Sequence, residues 1–166
     1  MSFEAYLQIE GISGETLSEG YEGWIELQDF DLSANQTASA TSASAGGATS
    51  GRAYMGDFLA RKAVDNATAK IHEACCSGKH FKHVVVHVFR AGDPKVKYLE
   101  VLLEEVIISS FALAGNGDKR DSFPAELIAF NYGRIQLIYS KLSRVSGQGA
   151  GQIAGGWDAI NNTIYA

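Results

Sequence analysis

The chain has 166 residues, 46% hydrophobic and 20% charged, with a net charge of -5 at pH 7. That length fits one domain, residues 1–166, with a core that needs no disulfide staples. The acidic balance argues against a nucleic-acid partner, which leaves a basic footprint, and no apolar run approaches the roughly 18 residues of a membrane span.

The start, Met1-Ser2-Phe3-Glu4, has neither a basic n-region nor an apolar h-region, so no Sec-type signal is expected and folding in the cytoplasm is. "FEAYLQIEGI" alternates, with Phe3, Ala5, Leu7 and Ile9 on one face, and predicts a half-buried strand. "GWIELQDFDL" (23–32) predicts a second, but its phase slips between the Ile25/Leu27 pair and the Phe30/Leu32 pair. A single bulge returns both pairs to one face and leaves Asp29 and Asp31 on the wetter one. "SANQTASATSASAGGATSG" (33–51) carries no large apolar side chain and no charge, so it cannot bury enough surface to order alone. "RAYMGDFLARK" then resumes as a strand.

"DNATAKIHEACCSGK" is the one convincing helix. Asp65 or Asn66 caps it, Ala67, Ile71, Ala74 and Cys75 share a side, and Gly78 ends it in the left-handed conformation. "HFKHVVVHVFRAG" is β-branched and therefore a strand. After the turn at Gly92-Asp93-Pro94, "KVKYLEVLLEEVIISSFALAG" is too long for an ordinary strand. Its Glu104-Glu105 pair is the natural place for a bend or hairpin. "GNGDKRD" is a polar loop, "PAELIAFNYGRIQLIYSKL" gives one or two strands with Gly133 as a bulge or kink, and residues 143–166 form a Gly-rich tail that ends in "GGWDAIN". Many strands with a single helix predict an all-β sandwich or barrel.

Candidate chemistry is sparse. His80, His83 and His87, with Cys75 and Cys76 upstream, resemble a zinc ligand set. On a strand, however, His83 and His87 lie about 13 Å apart at ~3.3 Å per residue, too far for one metal. Neighbouring cysteines rarely bridge. No G-x-S-x-G, H-E-x-x-H or P-loop is present, and on a strand Glu104 and Glu105 point to opposite faces. The expectation is a protein that is not an enzyme and holds no metal or cofactor. The bland segment, the Gly-rich tail carrying Trp157 and the many strand edges suit a chain that finishes folding against copies of itself. Trp157 reads as a packing anchor for the tail.

In chain order, several stretches resemble the Hcp family, the tube proteins of bacterial type VI secretion. "LQIEGISGET" stands where the family has I-K-I-x-G-I-x-G-E-S. "ACCSGKH" is similar to its A-C-x-S-G-K-H element, followed by "FRAG" and "YLEVLLEEVIISSFALAGNGD". "AELIAFNYGRIQLIY" is similar to E-x-x-x-L-N-F-G-K-I-x-x-x-Y, and "GGWDAINN" to the terminal G-G/Y-W-[DN]-x-x-x-N.

The resemblance implies a β-barrel of two antiparallel sheets with one flanking α-helix, a fold shared with contractile phage tail tubes. It implies six subunits in a ring, rings stacked into a tube inside a sheath with a spike at its tip, export without a cleaved signal, and small effectors carried in the lumen. Residues 33–51 then match a loop that packs on the neighbouring ring. Its contact positions are Asn35, Ser44, Gly46, Gly47, Thr49 and Gly51, in a stretch richer in Ala, Ser and Thr than the family's Gly runs. Asp29 and Asp31 match a strand of the lumen wall, where a ring of carboxylates favours basic or polar cargo; the alternative is two exposed strand charges with no cargo role. No fused second domain is expected beyond the last strand. The other readings are a tube or carrier ring of another contractile injection system and, in a different class, a small β-barrel metal-binding module or enzyme built on the histidines and cysteines.

Overall fold

The computed structural model describes residues 2–39, 49–118, 123–142 and 149–165. In them the chain runs β1 (Phe3–Ile9), β2 (Ile25–Leu27), β3 (Asp29–Asp31), β4 (Ala34–Ser39), β5 (Thr49–Met55), β6 (Phe58–Ala63), α1 (Thr68–Ser77), β7 (His80–Arg90), β8 (Val96–Ala114), β9 (Ala125–Leu142), β10 (Gly149–Asp158) and β11 (Thr163–Ile164). Nine strands form one antiparallel sheet, in which β11-β10-β9-β8-β7-β1-β2 follow one another while β3 pairs β6 and β6 pairs β9; β4 and β5 pair separately. This is the mainly-β fold with one short helix expected from the strand count.

Two long strands carry the architecture. β8 and β9 pair along most of their lengths, Leu99 opposite Tyr139 at one end and Ala114 opposite Ala125 at the other, with one register shift between Ile108 and Ser110. Halfway along, the core-facing side changes parity: Val101 and Leu103 are buried before Glu105, Val106 and Ile108 after it. Glu105 makes the change by taking a left-handed backbone conformation, φ 53°, which is uncommon for a residue with a side chain. Opposite it, β9 changes parity between the buried Tyr132 and Ile135. The register of Leu103 on Ile135 and Val106 on Tyr132 is kept. The ribbon therefore bends without slipping. One half of β9 (Ala125–Phe130) pairs with β6, and the other (Arg134–Leu142) with β10.

Of the bend or hairpin expected at Glu104-Glu105, the structure has the bend: the run is a single 19-residue strand with no hairpin. One expectation is corrected, because its two carboxylates do not part to opposite faces: Arg134 Nε lies 2.9 Å from Glu104 and its Nη2 3.7 Å from Glu105. A left-handed residue breaks the strict alternation on which the expectation rested.

Elsewhere local signals are followed closely. Ala5, Leu7 and Ile9 are buried, and Ile25 and Leu27 face them across β1–β2. The phase slip is resolved by a break at Gln28, whose N–H donates to Arg61 O at 2.8 Å as the chain leaves β1 for β6. "RAYMGDFLARK" divides into β5 and β6 at Gly56-Asp57. The tail is not loose, because residues 149–158 pair with β9.

The helix buries Ile71 and Ala74. Its N-cap is Ala67, with no side-chain cap bond, so neither Asp65 nor Asn66 caps the helix as expected; the Asp65 carboxylate accepts the Ala67 N–H at 2.9 Å, and the Asn66 amide donates to Gly14 O. Gly78 closes the helix with φ 65°, where its missing Cβ removes the left-handed penalty. The side chains of Phe58, Phe130, Leu7, Leu103 and Ile71 meet in one core.

Candidate functional site

Three surfaces carry the residues of interest. The first is the outer face of β3–β6. Phe30 turns inward, stacking on Phe58 with centroids 5.8 Å apart and meeting Phe3 edge-on at 5.6 Å. Period-two alternation then places Asp29 and Asp31 outward, both exposed. Across the ladder, Asp29 faces Arg61 and Asp31 faces Leu59; these in turn face Leu127 and Ala129. Arg61 Nε is 3.4 Å from Asp29, so the face holds one compensated carboxylate and one, Asp31, with no ion-pair partner among the described residues. Both members of the Asp29–Arg61 pair are more than half exposed, which leaves it under about 1 kcal/mol. Arg61 was missed because nothing in its own neighbourhood marks it; the register alone brings it to Asp29.

The second surface is the β4–β5 pair and what lies beneath it. Asn35 is opposite Tyr54, and Thr49 opposite Ser39, while a Cβ on Gly51 would lie 3.3 Å from Thr37 Cβ. Ser44, Gly46 and Gly47 lie outside the described residues. At the root, Gly56 N–H donates to Ser33 O at 2.9 Å, and the buried Tyr132 hydroxyl donates to Gly56 O at 2.9 Å. Burial, aided by the nearby Asp57 charge, pushes that phenol up to about 12. Between the root and β10 runs a mostly apolar groove of about 330 Å³, with Leu32, Met55, Leu137 and Trp157 among its walls. Trp157 is half-buried against the core.

Beside that groove the C-terminal turn is tightly held. The Asp158 carboxylate accepts the N–H groups of Ile160 and Asn161 and the Asn161 side-chain amide, at 2.9–3.0 Å. These bonds, the Asn161 N–H foremost, hold its carboxyl below the ordinary Asp range. Tyr165 donates to Glu104 at 2.8 Å. Burial opposes the Glu104 charge, but its bonds from Arg134 and Tyr165 outweigh that and lower its pKa. Arg52 of β5 reaches this turn, its Nη2 donating to Ala159 O at 2.6 Å. One signal marked Arg52 in the sequence: no Lys or Arg precedes it.

The third surface holds the histidines, which do not converge. His83 and His87 face different carboxylates, Glu104 at 4.0 Å and Glu100 at 3.3 Å. His80 is exposed, and Cys76 Sγ lies 3.7 Å from His72, one helical turn away. His87 belongs to an aromatic cluster. Its Nδ1 is 2.8 Å from the Tyr21 hydroxyl, and Trp24 lies 4.9 Å from its ring. Burial foremost, then the Lys97 charge, pulls its pKa below the ordinary value, against the pull of Glu100. This cluster fastens the 13–24 loop onto β1 and β7, a structural task. Among the described residues no three His, Cys, Asp or Glu side chains are grouped to hold a metal, and no helix is long and apolar enough to cross a membrane.

Known proteins share this fold. The family pattern described as "Type VI secretion system effector, Hcp" matches residues 6–139. Protein hcp1 of Pseudomonas aeruginosa is 28% identical over 107 residues, which span 64% of this chain and 65% of that protein. Among solved structures, one described as that of a type six secretion system protein superposes with a TM-score of 0.91 at 24% identity, covering 99% of this chain and 100% of the other. Hcp1 from Salmonella typhimurium does so with a TM-score of 0.77 at 19% identity, again over 99% and 100%. A type VI secretion system effector from Yersinia pestis gives 0.72 at 23% identity, over 93% and 98%. With its pattern matched across most of its length and its fold matched nearly end to end, the chain belongs to the Hcp family, the structural, non-enzymatic tube proteins of type VI secretion.

Proposed function

We propose that this protein is a subunit of the type VI secretion inner tube, forming hexameric rings that stack, are expelled on firing without a cleaved signal, and carry small effectors in the lumen. The observation that carries the ring is the uncovered edge of β10. The β2–β3 run joins β1 to β6, which pairs β9, so the sheet closes on that side, whereas β11 covers only Trp157 and Asp158 of β10. Residues 150–155 of β10, Ala-Gly-Gln-Ile-Ala-Gly, hold neither charge nor proline, the devices that usually protect a free edge. That edge laid against a different surface of the next copy makes a heterologous contact, which closes into a ring when the rotation divides a full turn.

The β4–β5 pair, a separate two-stranded sheet, is the arm that contacts the next ring, and the stretch that holds Asn35, Ser44, Gly46, Gly47, Thr49 and Gly51 supplies backbone for strand-like pairing. The outer face of β3–β6 lines the lumen. There Asp31 presents the net negative charge, since Arg61 offsets Asp29, and Leu59 and Leu127 add apolar contact for cargo. Trp157 anchors the C-terminal segment. The partners are other copies of the chain, a spike at the tube tip, the surrounding sheath and small effector proteins.

Native mass spectrometry with negative-stain microscopy tests the ring. A mass of six chains and annular particles are expected, and Ile153→Lys, which sets a charge on the open β10 edge, is expected to return monomers. A wild-type protein that stays monomeric across concentrations overturns the reading.

A further inference from the structure

We propose that the C-terminal turn sets the angle of the β4–β5 arm, and that Arg52 is the positioning residue that couples them. A two-stranded ribbon attached only at its root swings freely, because it buries too little to order itself. The root here is fixed by the Ser33–Gly56 and Tyr132–Gly56 bonds. A ribbon needs a second fixed point to define its direction. Arg52 lies four residues out from Gly56, about 13 Å along the strand at ~3.3 Å per residue, and its bond to Ala159 O supplies that point.

The acceptor is itself rigid, which separates this contact from a chance surface bond. Ala159 N–H donates to Gly133 O at 2.9 Å, so its peptide units are oriented from the core side while its carbonyl faces the arm. On its N-terminal side the Asp158 carboxylate ties the following turn. On its C-terminal side Ile160 sits over Gly133, where an added Cβ would lie 2.7 Å from Ile160 Cδ1. Farther on, Tyr165 N–H bonds Gly156 O at 3.1 Å and its hydroxyl bonds Glu104. The turn is thus built into the bend of β8–β9, and the arm takes its direction from that bend.

Because Arg52 is exposed, its bond adds little to overall stability; its effect is on direction. The consequence for ring stacking rests on the reading of the arm given above, whereas the positioning itself does not. A pre-set arm loses less freedom on contact with the next ring, which favours stacking.

The test uses the full-length protein with Cys75→Ala and Cys76→Ser, spin-labelled at Gln36→Cys on β4 and Lys141→Cys on β9, mixed with excess unlabelled protein so that a ring holds one labelled chain, at a dilution where rings do not stack. Pulsed dipolar spectroscopy is expected to give one narrow distance distribution. Arg52→Met is expected to broaden it about twofold or more while leaving the thermal midpoint unchanged, and Arg52→Lys, whose ammonium still donates to a carbonyl, to narrow it again. Asp158→Ala, a residue of the turn rather than the arm, is expected to broaden it as well. An Arg52→Met distribution as narrow as the parent overturns the proposal. Tube elongation followed by light scattering is read separately. Broadening with undiminished elongation upholds the positioning role and sinks the stacking reading.

Discussion

Lys62 and Glu126 face each other across β6 and β9, both side chains wholly buried, and they do not share their burden equally. The ammonium uses all three of its donors: Glu126 Oε2 at 3.0 Å, Asp65 Oδ1 at 2.7 Å and Ala63 O at 2.9 Å. Among the described residues Glu126 has only that one partner, since its Oε1 is buried with none. Lys62→Met therefore leaves a carboxylate in the core with nothing bonded to it, a loss expected to cost about 3–5 kcal/mol. Glu126→Leu leaves Lys62 with Asp65 and a carbonyl and removes the orphan oxygen, so about 1–2 kcal/mol is expected. The double variant takes out both wholly buried charges at similar volume but leaves the largely buried Asp65 without its ammonium, so it is expected to lose less than Lys62→Met alone without returning to wild type. Urea unfolding at one fixed protein concentration measures all three, because assembly adds to apparent stability. Two results refute the reasoning: Lys62→Met costing no more than Glu126→Leu, or a double variant whose loss equals the sum of the singles.

Gly156→Ala puts a Cβ 2.5 Å from Ile135 O and closer still to Tyr165 O. Both are backbone atoms that cannot rotate away, so a loss of about 2–4 kcal/mol is expected, read as a lowered thermal midpoint; an unchanged midpoint refutes the close approach. Tyr132→Phe removes the donor to Gly56 O and leaves a carbonyl short of a partner, for about 1–2 kcal/mol in urea unfolding. His87 titrates lower in the folded chain than in the unfolded one. Its contribution is therefore complete above the ordinary His value of about 6.5 and is lost as pH falls through the lowered folded value. Stability should decline over that acid window, and His87→Gln should flatten the decline; an identical slope in the variant would show that other groups carry it.

Much of the frame is legible in short windows. Alternation in "FEAYLQI" marks the buried side of β1, and the slip between Leu27 and Phe30 announces the break at Gln28 that carries the chain to β6. Ile71 and Ala74, with Gly78 behind them, define the helix. In each case the cause is local: a side chain's direction follows from its position on a repeating backbone, and the repeat is visible in the residues themselves.

The composition of residues 33–51 already marked a segment without a core of its own, and the spacing of His83 and His87 already separated them. By itself, then, the sequence determined the helix, most of the strands though not β4 or β10, the outward turn of Asp29 and Asp31, and the family. Only the tertiary structure decided which charges are free. Arg61 reaches Asp29 through the β3–β6 register, Lys62 meets Glu126 across 64 positions, and Arg52 finds Ala159 across 107. It also decided that Glu105 bends one long strand rather than ending it, so that both glutamates close on Arg134. These pairings depend on how distant strands are aligned, and that alignment is a property of the packed core as a whole, written in no short window of the chain.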